Sequence, residues 1–371
     1  MDHSTNNDPL ALKRAKPGTP EAGWQALAHL YHSFFTGLIL QVSLQLGAET
    51  AGKWSYQYFR RQHHEKFLSS FEKLGAAGLP DAVAAARYHY LSNRIGGVEV
   101  EYMFESDKKA WVRFPHPRWI YDGTAICGVP IEVGHGFIHG WYGHNGVTLG
   151  NPRLGWVCTS QDVNAEIGYV GYFKEYDHDL GDDERVSFVS DETPPRFDPN
   201  QAPTLDSSIW TTERLGKARR NYAMDYVKWG IFELVEMLGP DTTRELSVHT
   251  AALISRQFYR DLQQRLKLDR DDDSAEAFAR FIKLQAMAHG NDISWDIGND
   301  GDVRIQQSGW RLVRGMSDLP AATTSVLFDA WNALWRGCLN VHNRFLTFET
   351  DQRPTDAGSD IVWRIHGDDR S

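Results

Sequence analysis

A glycine-rich stretch in the first half of the chain concentrates the side chains that could carry out chemistry. His135 and His139 stand four residues apart in the run GHGFIHG, and Cys158 precedes Asp162 in the run WVCTSQD. A cysteine activated as a thiolate by a nearby imidazole is a strong nucleophile. Carboxylates and imidazoles within reach can move protons. The sequence therefore predicts Cys158 as a nucleophile, with Asp162, His135 and His139 as acid–base groups.

The same residues also have simpler interpretations. A free cysteine is often merely buried, and a histidine is often surface-exposed or satisfied in the core. Two histidines four residues apart on a helix could hold a metal ion. However, no glutamate completes an HExxH motif here, and the glycines of this stretch disfavour a helix. The sequence thus predicts no cofactor, and a divalent metal held by His135 and His139 is the alternative. His63 and His64, in the run RRQHHEKF, are expected on a helix surface.

Aromatic and cationic side chains flank the reactive ones. The run HPRWIYDG sets Arg118 among aromatic residues, and a guanidinium can bind a carboxylate through two parallel hydrogen bonds. Pockets for small molecules are lined mainly by apolar and aromatic side chains. We therefore expect Arg118 to anchor the carboxylate of a substrate. The predicted walls of this pocket are aromatic residues of the same region: Trp119, Tyr121, Trp141 and Trp156.

These residues belong to the first of two similar segments. The run AVAAARYHYLSNRIGGVEVEY begins at Ala82, and AEAFARFIKLQAMAHGNDISW begins at Ala275. Alanines, an arginine, a leucine and a glycine recur at matching positions. Each segment shows helical periodicity in three successive helices, then a hairpin, a further helix and a last hairpin. The sequence predicts an α+β fold of two tandem repeats, each a helical layer packed on a small antiparallel sheet.

Composition shifts divide the chain into four parts. Residues 1–22 read as a disordered tail, and residues 23–180 as the first repeat, which carries the candidate site. Residues 181–208 are rich in proline and aspartate and read as a linker. Residues 209–371 form the second repeat, which we expect to be mainly scaffold.

Charge and cysteine usage exclude several classes of protein. The 371 residues carry a net charge of −10, which argues against a broad nucleic-acid surface. Three widely spaced cysteines do not make a disulfide framework and suit a reducing compartment. The uncharged stretch 22–48 is interrupted by polar residues, which is typical of a core helix rather than a membrane span. We expect a soluble, cytoplasmic protein with a small-molecule substrate and no nucleic-acid or membrane partner, and homo-oligomers stay an open alternative.

Five short segments carry a likeness to a known family: Val98–Tyr102, Trp111–Phe114, Cys158–Asp162, Phe345–Thr350 and Asp360–Ile365. They resemble the L-2-amino-thiazoline-4-carboxylic acid hydrolase family and, more distantly, the vinyl-reductase-type ligand-binding domains. The resemblance implies hydrolysis of a small ring-containing amide or amidine, with a cysteine and acidic residues near the centre. The chain departs from the family in being doubled, and in carrying Glu349 in the second half near the position that aligns with Cys158.

Together these features predict an enzyme that acts on a small, ring-containing, carboxylated molecule, with hydrolytic opening of a C–N bond as the reaction. Two alternatives stay open. One is a non-catalytic protein that binds a small ligand in the same aromatic pocket. The other is a metal-dependent hydrolase or lyase that uses His135 and His139.

Overall fold

The computed structural model describes residues 14–116, 118, 120, 123–298, 301–316 and 319–367. Within these residues the longer helices are α1 (Pro20–Leu46), α2 (Ala48–Lys66), α3 (Asp81–Ile95), α4 (Ile131–Trp141), α5 (Asn145–Leu149), α6 (Thr212–Leu238), α7 (Pro240–Leu266), α8 (Ala275–His289) and α9 (Ala321–His342). The strands are β1 (Glu101–Ser106), β2 (Lys109–Phe114), β3 (Leu154–Ser160), β4 (Tyr169–Glu175), β5 (Val186–Phe188), β6 (Asp292–Ile297), β7 (Val303–Ser308), β8 (Leu346–Gln352) and β9 (Ile361–Gly367). The fold class is α+β, as the sequence predicts.

These elements form two units. The first unit contains residues 42–219, and the second contains residues 14–41 with residues 220–367. The long helix α1 is therefore divided, because its residues up to Gln41 belong to the second unit. The sequence-based division placed this part of the chain in the first repeat instead. Of the predicted tail, residues 1–13 lie outside the described residues, whereas Gly18 donates a backbone hydrogen bond to Arg265.

The two sheets share one strand order. In the first unit the order is β1-β2-β4-β3-β5, and in the second it is β6-β7-β9-β8. Neighbouring strands are antiparallel except β3 and β5, which are parallel. In both units, therefore, the strands lie side by side in the order first, second, fourth, third. This order is the one that a tandem duplication predicts, and the duplication itself stays a prediction.

Different parts of the chain pack on the two faces of the first sheet. On one face, Trp156 stacks on Tyr142 at 4.2 Å, and Tyr142 in turn stacks on His89 of α3 at 4.3 Å. We call this the inner face, because α3 packs against it. On the outer face, Trp111 and Tyr172 lie in a buried cluster, with ring centres 4.5 Å apart. Because side chains alternate along a strand, each strand contributes side chains to both the inner and the outer face.

The predicted linker is ordered against the outer face. Val189 and Phe197 pack on the apolar cluster there. Glu192 accepts hydrogen bonds from the Tyr172 hydroxyl at 2.5 Å and from the Lys109 ammonium at 2.9 Å. These contacts stabilise the segment although its composition is typical of a flexible connection.

Close contact with α2 explains the glycines of α4. A Cβ atom placed on Gly136 would lie 2.3 Å from the carbonyl oxygen of Gly52, and one on Gly140 would lie 2.5 Å from the carbonyl oxygen of Tyr56. The two helix backbones touch because neither residue has a side chain there. These glycines disfavour a helix locally, by about 1 kcal/mol each in a helix interior, but the helix α4 forms because tertiary packing offsets this cost.

Among the helices that the structure describes, none is both long enough and apolar enough to cross a bilayer.

Candidate functional site

Three predicted site residues come together at one end of the first sheet. Arg118 Nε lies 3.5 Å from Asp162 Oδ2, and the two side chains are only 5% and 2% exposed. The guanidinium carbon lies 4.9 Å from the ring centre of Tyr169 and 5.3 Å from that of Phe137. Cys158 is close enough for both charges to act on the pKa of its thiol. A substrate carboxylate would therefore compete with Asp162 for a guanidinium that aromatic rings already surround.

The Cys158 thiol is buried and protonated. It is 2% exposed, and it donates a weak hydrogen bond to the carbonyl oxygen of Ser160 at 3.6 Å. Burial raises the pKa of this thiol to about 12, and Glu166 acts in the same direction. At neutral pH the group is a thiol rather than the thiolate that a nucleophile requires.

His135 and His139 lie on a different side of α4 from its glycine contact. Their ring centres are 4.8 Å and 6.4 Å from that of Phe188 on β5. Burial lowers the pKa of His139, as does the neighbouring His135. Among the residues that the structure describes, neither histidine hydrogen-bonds to Cys158. No group of three or more His, Cys, Asp or Glu side chains in the described ranges is arranged to hold a metal ion.

Polar side chains of α2, α3 and the start of α5 form two hydrogen-bonded pairs. The Arg60 guanidinium donates to His63 Nδ1 at 3.1 Å. His63 therefore carries its proton on Nε2, which is buried and has no hydrogen-bond partner among the described residues. The Asn145 side-chain amide then donates to His89 Nε2 at 2.8 Å. His63 and His89 are both buried, so these polar groups extend from a half-buried arginine into the core.

His144 lies at the more accessible end of these polar groups. Its Nε2 is 3.2 Å from the Tyr56 hydroxyl. Burial is the largest cause that lowers the pKa of His144 to about 4; the cations Arg60 and Arg185 act in the same direction, and Asp182 opposes them. We name Arg60, His63, His89, His139 and His144 the histidine cluster.

The imidazoles of the histidine cluster are uncharged at neutral pH. Burial is the largest cause in each case: it lowers the pKa of His63 to about 3 and holds that of His89 well below its usual value. Neutral imidazoles offer one hydrogen-bond donor and one acceptor each. Perturbed histidines that converge in this way are typical of functional sites, although structural networks also produce them.

Trp141 is the predicted pocket residue that the structure places beside the histidine cluster. Its ring centre lies 6.2 Å from that of His63 and 5.8 Å from that of His89. Its indole N–H is buried and has no hydrogen-bond partner within the described part of the chain. Trp156, by contrast, lies in the core on the inner face, and Trp119 and Tyr121 lie outside the described residues.

The histidine cluster was largely missed by the sequence analysis. The prediction that His63 lies on the surface is wrong, because the side chain is fully buried, whereas His64 is exposed. One signal was present: Tyr56, Arg60 and His63 follow the i, i+4, i+7 spacing that places side chains on one helix face. His89 gave no such signal, because it stands in an otherwise ordinary apolar helix.

Comparison with known proteins gave no relative. The chain matches no protein-family model, no curated protein and no solved structure. The candidate site is therefore argued from its own geometry, and the resemblance to the thiazoline hydrolase family stays a proposal.

Proposed function

We propose that the first unit binds a small, ring-containing organic carboxylate at the histidine cluster. The observation that supports this proposal is that Arg60 is partly buried and has no carboxylate partner in the part of the chain that the structure describes. Its guanidinium is half-buried, donates to His63, and forms no ion pair with a carboxylate among the described residues. Burying a cation without a counter-ion is costly, and an anionic ligand would remove that cost.

The neighbouring groups supply hydrogen bonds that suit such a ligand. Arg60 can bind a carboxylate through two parallel N–H groups. The His144 imidazole and the Tyr56 hydroxyl bond to each other and leave one donor between them, and the Trp141 indole N–H offers another. The rings of Trp141 and Tyr56 provide apolar surface for the rest of the molecule. The ligand would thus meet one fixed cation and several neutral polar groups.

Proton uptake should accompany binding. A bound carboxylate favours the protonated form of His144 and therefore raises the pKa of this imidazole. In the free protein, burial and two arginines lower that pKa to about 4. Affinity is therefore expected to increase as the pH falls from 7 to about 5, a range in which the ligand's carboxylate is still ionised. The reverse dependence would indicate that the ligand binds elsewhere.

Replacement of Arg60 by glutamine is expected to weaken binding of benzoate, used as the probe, by at least about tenfold. A hydrogen bond to a charged group contributes roughly 1.5–3 kcal/mol, and each 1.4 kcal/mol corresponds to about tenfold in Kd. The measurement is isothermal titration calorimetry on the full chain, with benzyl alcohol as the neutral counterpart.

The matched control is Lys53→Gln, which removes an exposed charge from the same helix where Lys53 pairs with Glu49 at 2.7 Å. It should leave the Kd for benzoate unchanged. Equal binding of benzoate and benzyl alcohol, or equal Kd values in the Arg60→Gln variant and the unmodified protein, would refute the proposal.

A second proposal is the hydrolysis of a small ring-containing amide or amidine. It is supported by the juxtaposition of Cys158, Asp162 and Arg118 in one buried group. For this chemistry the substrate would have to lower the thiol pKa from about 12, by excluding Asp162 from the vicinity or by bringing Arg118 closer.

The hydrolase proposal predicts that Cys158→Ser reduces turnover of L-2-amino-thiazoline-4-carboxylic acid by more than about 10³-fold, as loss of a nucleophile does. Turnover is measured by release of the ring-opened product. Cys127→Ser changes an exposed free cysteine and should have no effect. Undiminished turnover in Cys158→Ser would exclude thiol catalysis.

A further inference from the structure

A second polar site lies in the unit that the sequence analysis treated as scaffold. A pocket of about 390 Å³ opens between α9 and β8. This volume lies within the usual range for small-molecule sites. The polar residues that line it include Asp329, Asn332, Arg336, Thr350, Asp351 and Arg353.

The floor of this pocket is preformed. Asn332 is buried, and its Oδ1 accepts a hydrogen bond from the Trp363 indole at 2.9 Å. Its Nδ2 donates to the Thr350 hydroxyl oxygen at 3.2 Å. Because both ends of the amide are held, Thr350 keeps a fixed position, and its hydroxyl proton can be donated to a ligand.

Two of the carboxylates at the pocket already have cationic partners. Asp329 accepts from Arg244 at 3.0 Å and from Arg353 at 2.7 Å. Glu349 accepts from Arg364 at 2.8 Å. These ion pairs build the walls and leave little net charge for a ligand to neutralise.

Two other charges at the pocket are less completely paired. Arg336 is exposed, and its guanidinium makes neither an ion pair nor a hydrogen bond within the described ranges. The nearest cation to Asp351 is Arg364, whose Nε is 3.9 Å away and whose guanidinium already binds Glu349. One cation and one carboxylate of the same pocket are thus available to a ligand.

We infer that this pocket binds a small zwitterion with the charge pattern of a free α-amino acid. Arg336 would bind the carboxylate through two N–H groups, and Asp351 would accept from the ammonium. Thr350 would hydrogen-bond to a polar side chain. The opposite signs of the two available charges select against ligands that carry only one of the groups, because one pocket charge would then stay uncompensated.

Calorimetric titration with three matched probes tests the inference. L-glutamine carries both charges, 4-carbamoylbutanoate only the carboxylate, and 4-aminobutanamide only the ammonium. We expect L-glutamine to bind at least about tenfold more tightly than either analogue. Arg336→Gln and Asp351→Asn should each weaken L-glutamine binding by about tenfold or more.

The control is Arg270→Gln, which removes an exposed arginine of the same unit that does not line the pocket. It should bind L-glutamine as the unmodified protein does, and so should Arg60→Gln, which separates this site from the histidine cluster. An unchanged Kd in Arg336→Gln, equal binding of L-glutamine and 4-carbamoylbutanoate, or no heat with L-glutamine at millimolar concentration would overturn the inference.

Discussion

Alanine at Gly136 is expected to destabilise the first unit by about 3 kcal/mol, the upper range for overpacking a core. The added methyl group would lie 2.3 Å from the Gly52 carbonyl oxygen and 2.8 Å from the Tyr56 backbone nitrogen. Both contacts are with backbone, so no side-chain rotation can relieve them. α4 would have to move away from α2, and the packing that compensates for its helical glycines would weaken.

Gly216→Ala is the matched control for this substitution. Gly216 also lies within a helix, α6, but a Cβ atom there would meet no heavy atom within 4 Å. The better helix propensity of alanine should then stabilise the protein by about 0.5–1 kcal/mol. Urea denaturation measures both free energies of unfolding. If Gly136→Ala were as well tolerated as Gly216→Ala, the close packing of α2 and α4 would be wrong.

Asp162→Asn is expected to cost about 3–5 kcal/mol of unfolding free energy. This substitution removes the carboxylate that lies 3.5 Å from the buried Arg118 guanidinium, and removing one member of a buried ion pair is far more damaging than replacing both. The double variant Arg118→Met with Asp162→Leu should therefore recover most of the lost stability, since it removes both charges of the pair. Urea denaturation of the single and double variants measures the difference.

An exposed pair provides the comparison. Arg153 Nε binds Asp179 Oδ1 at 3.1 Å, with the two side chains 52% and 68% exposed. Asp179→Asn should change the free energy of unfolding by no more than about 1 kcal/mol, because solvent screens such a pair. Equal effects of Asp162→Asn and Asp179→Asn would contradict the burial of the Arg118–Asp162 pair.

The periodicity of apolar residues in the sequence was sufficient to predict most of the helices and strands. Apolar spacing predicts the helices and the two hairpins of each unit, because those elements are local and their buried faces repeat. The parallel strand β5 could not be predicted in this way. It has only three residues, Val186–Phe188, and it forms by pairing with β3 after an interruption of the chain. The order of the linker depends likewise on contacts with a distant cluster.

Only part of the site was predicted, and the orientation of α4 explains why its histidines lie elsewhere. Arg118, Cys158 and Asp162 lie close together, and their roles stay a prediction. His135 and His139 do not join them, because Gly136 and Gly140 fix the face of α4 that contacts α2 and thereby turn the histidines towards Phe188. That choice of face depends on backbone contact between two helices. Gly136 and Gly140, four residues apart, mark that face in the sequence, but nothing within α4 identifies α2 as the helix that it contacts.

The anion site at the histidine cluster is tested most directly by following the His144 ring protons by NMR while benzoate is added. The account predicts that benzoate shifts these signals at neutral pH and raises the His144 pKa above its value of about 4 in the free protein. It also predicts that both effects are lost in Arg60→Gln. Saturation with benzoate that leaves the His144 signals and pKa unchanged would contradict it.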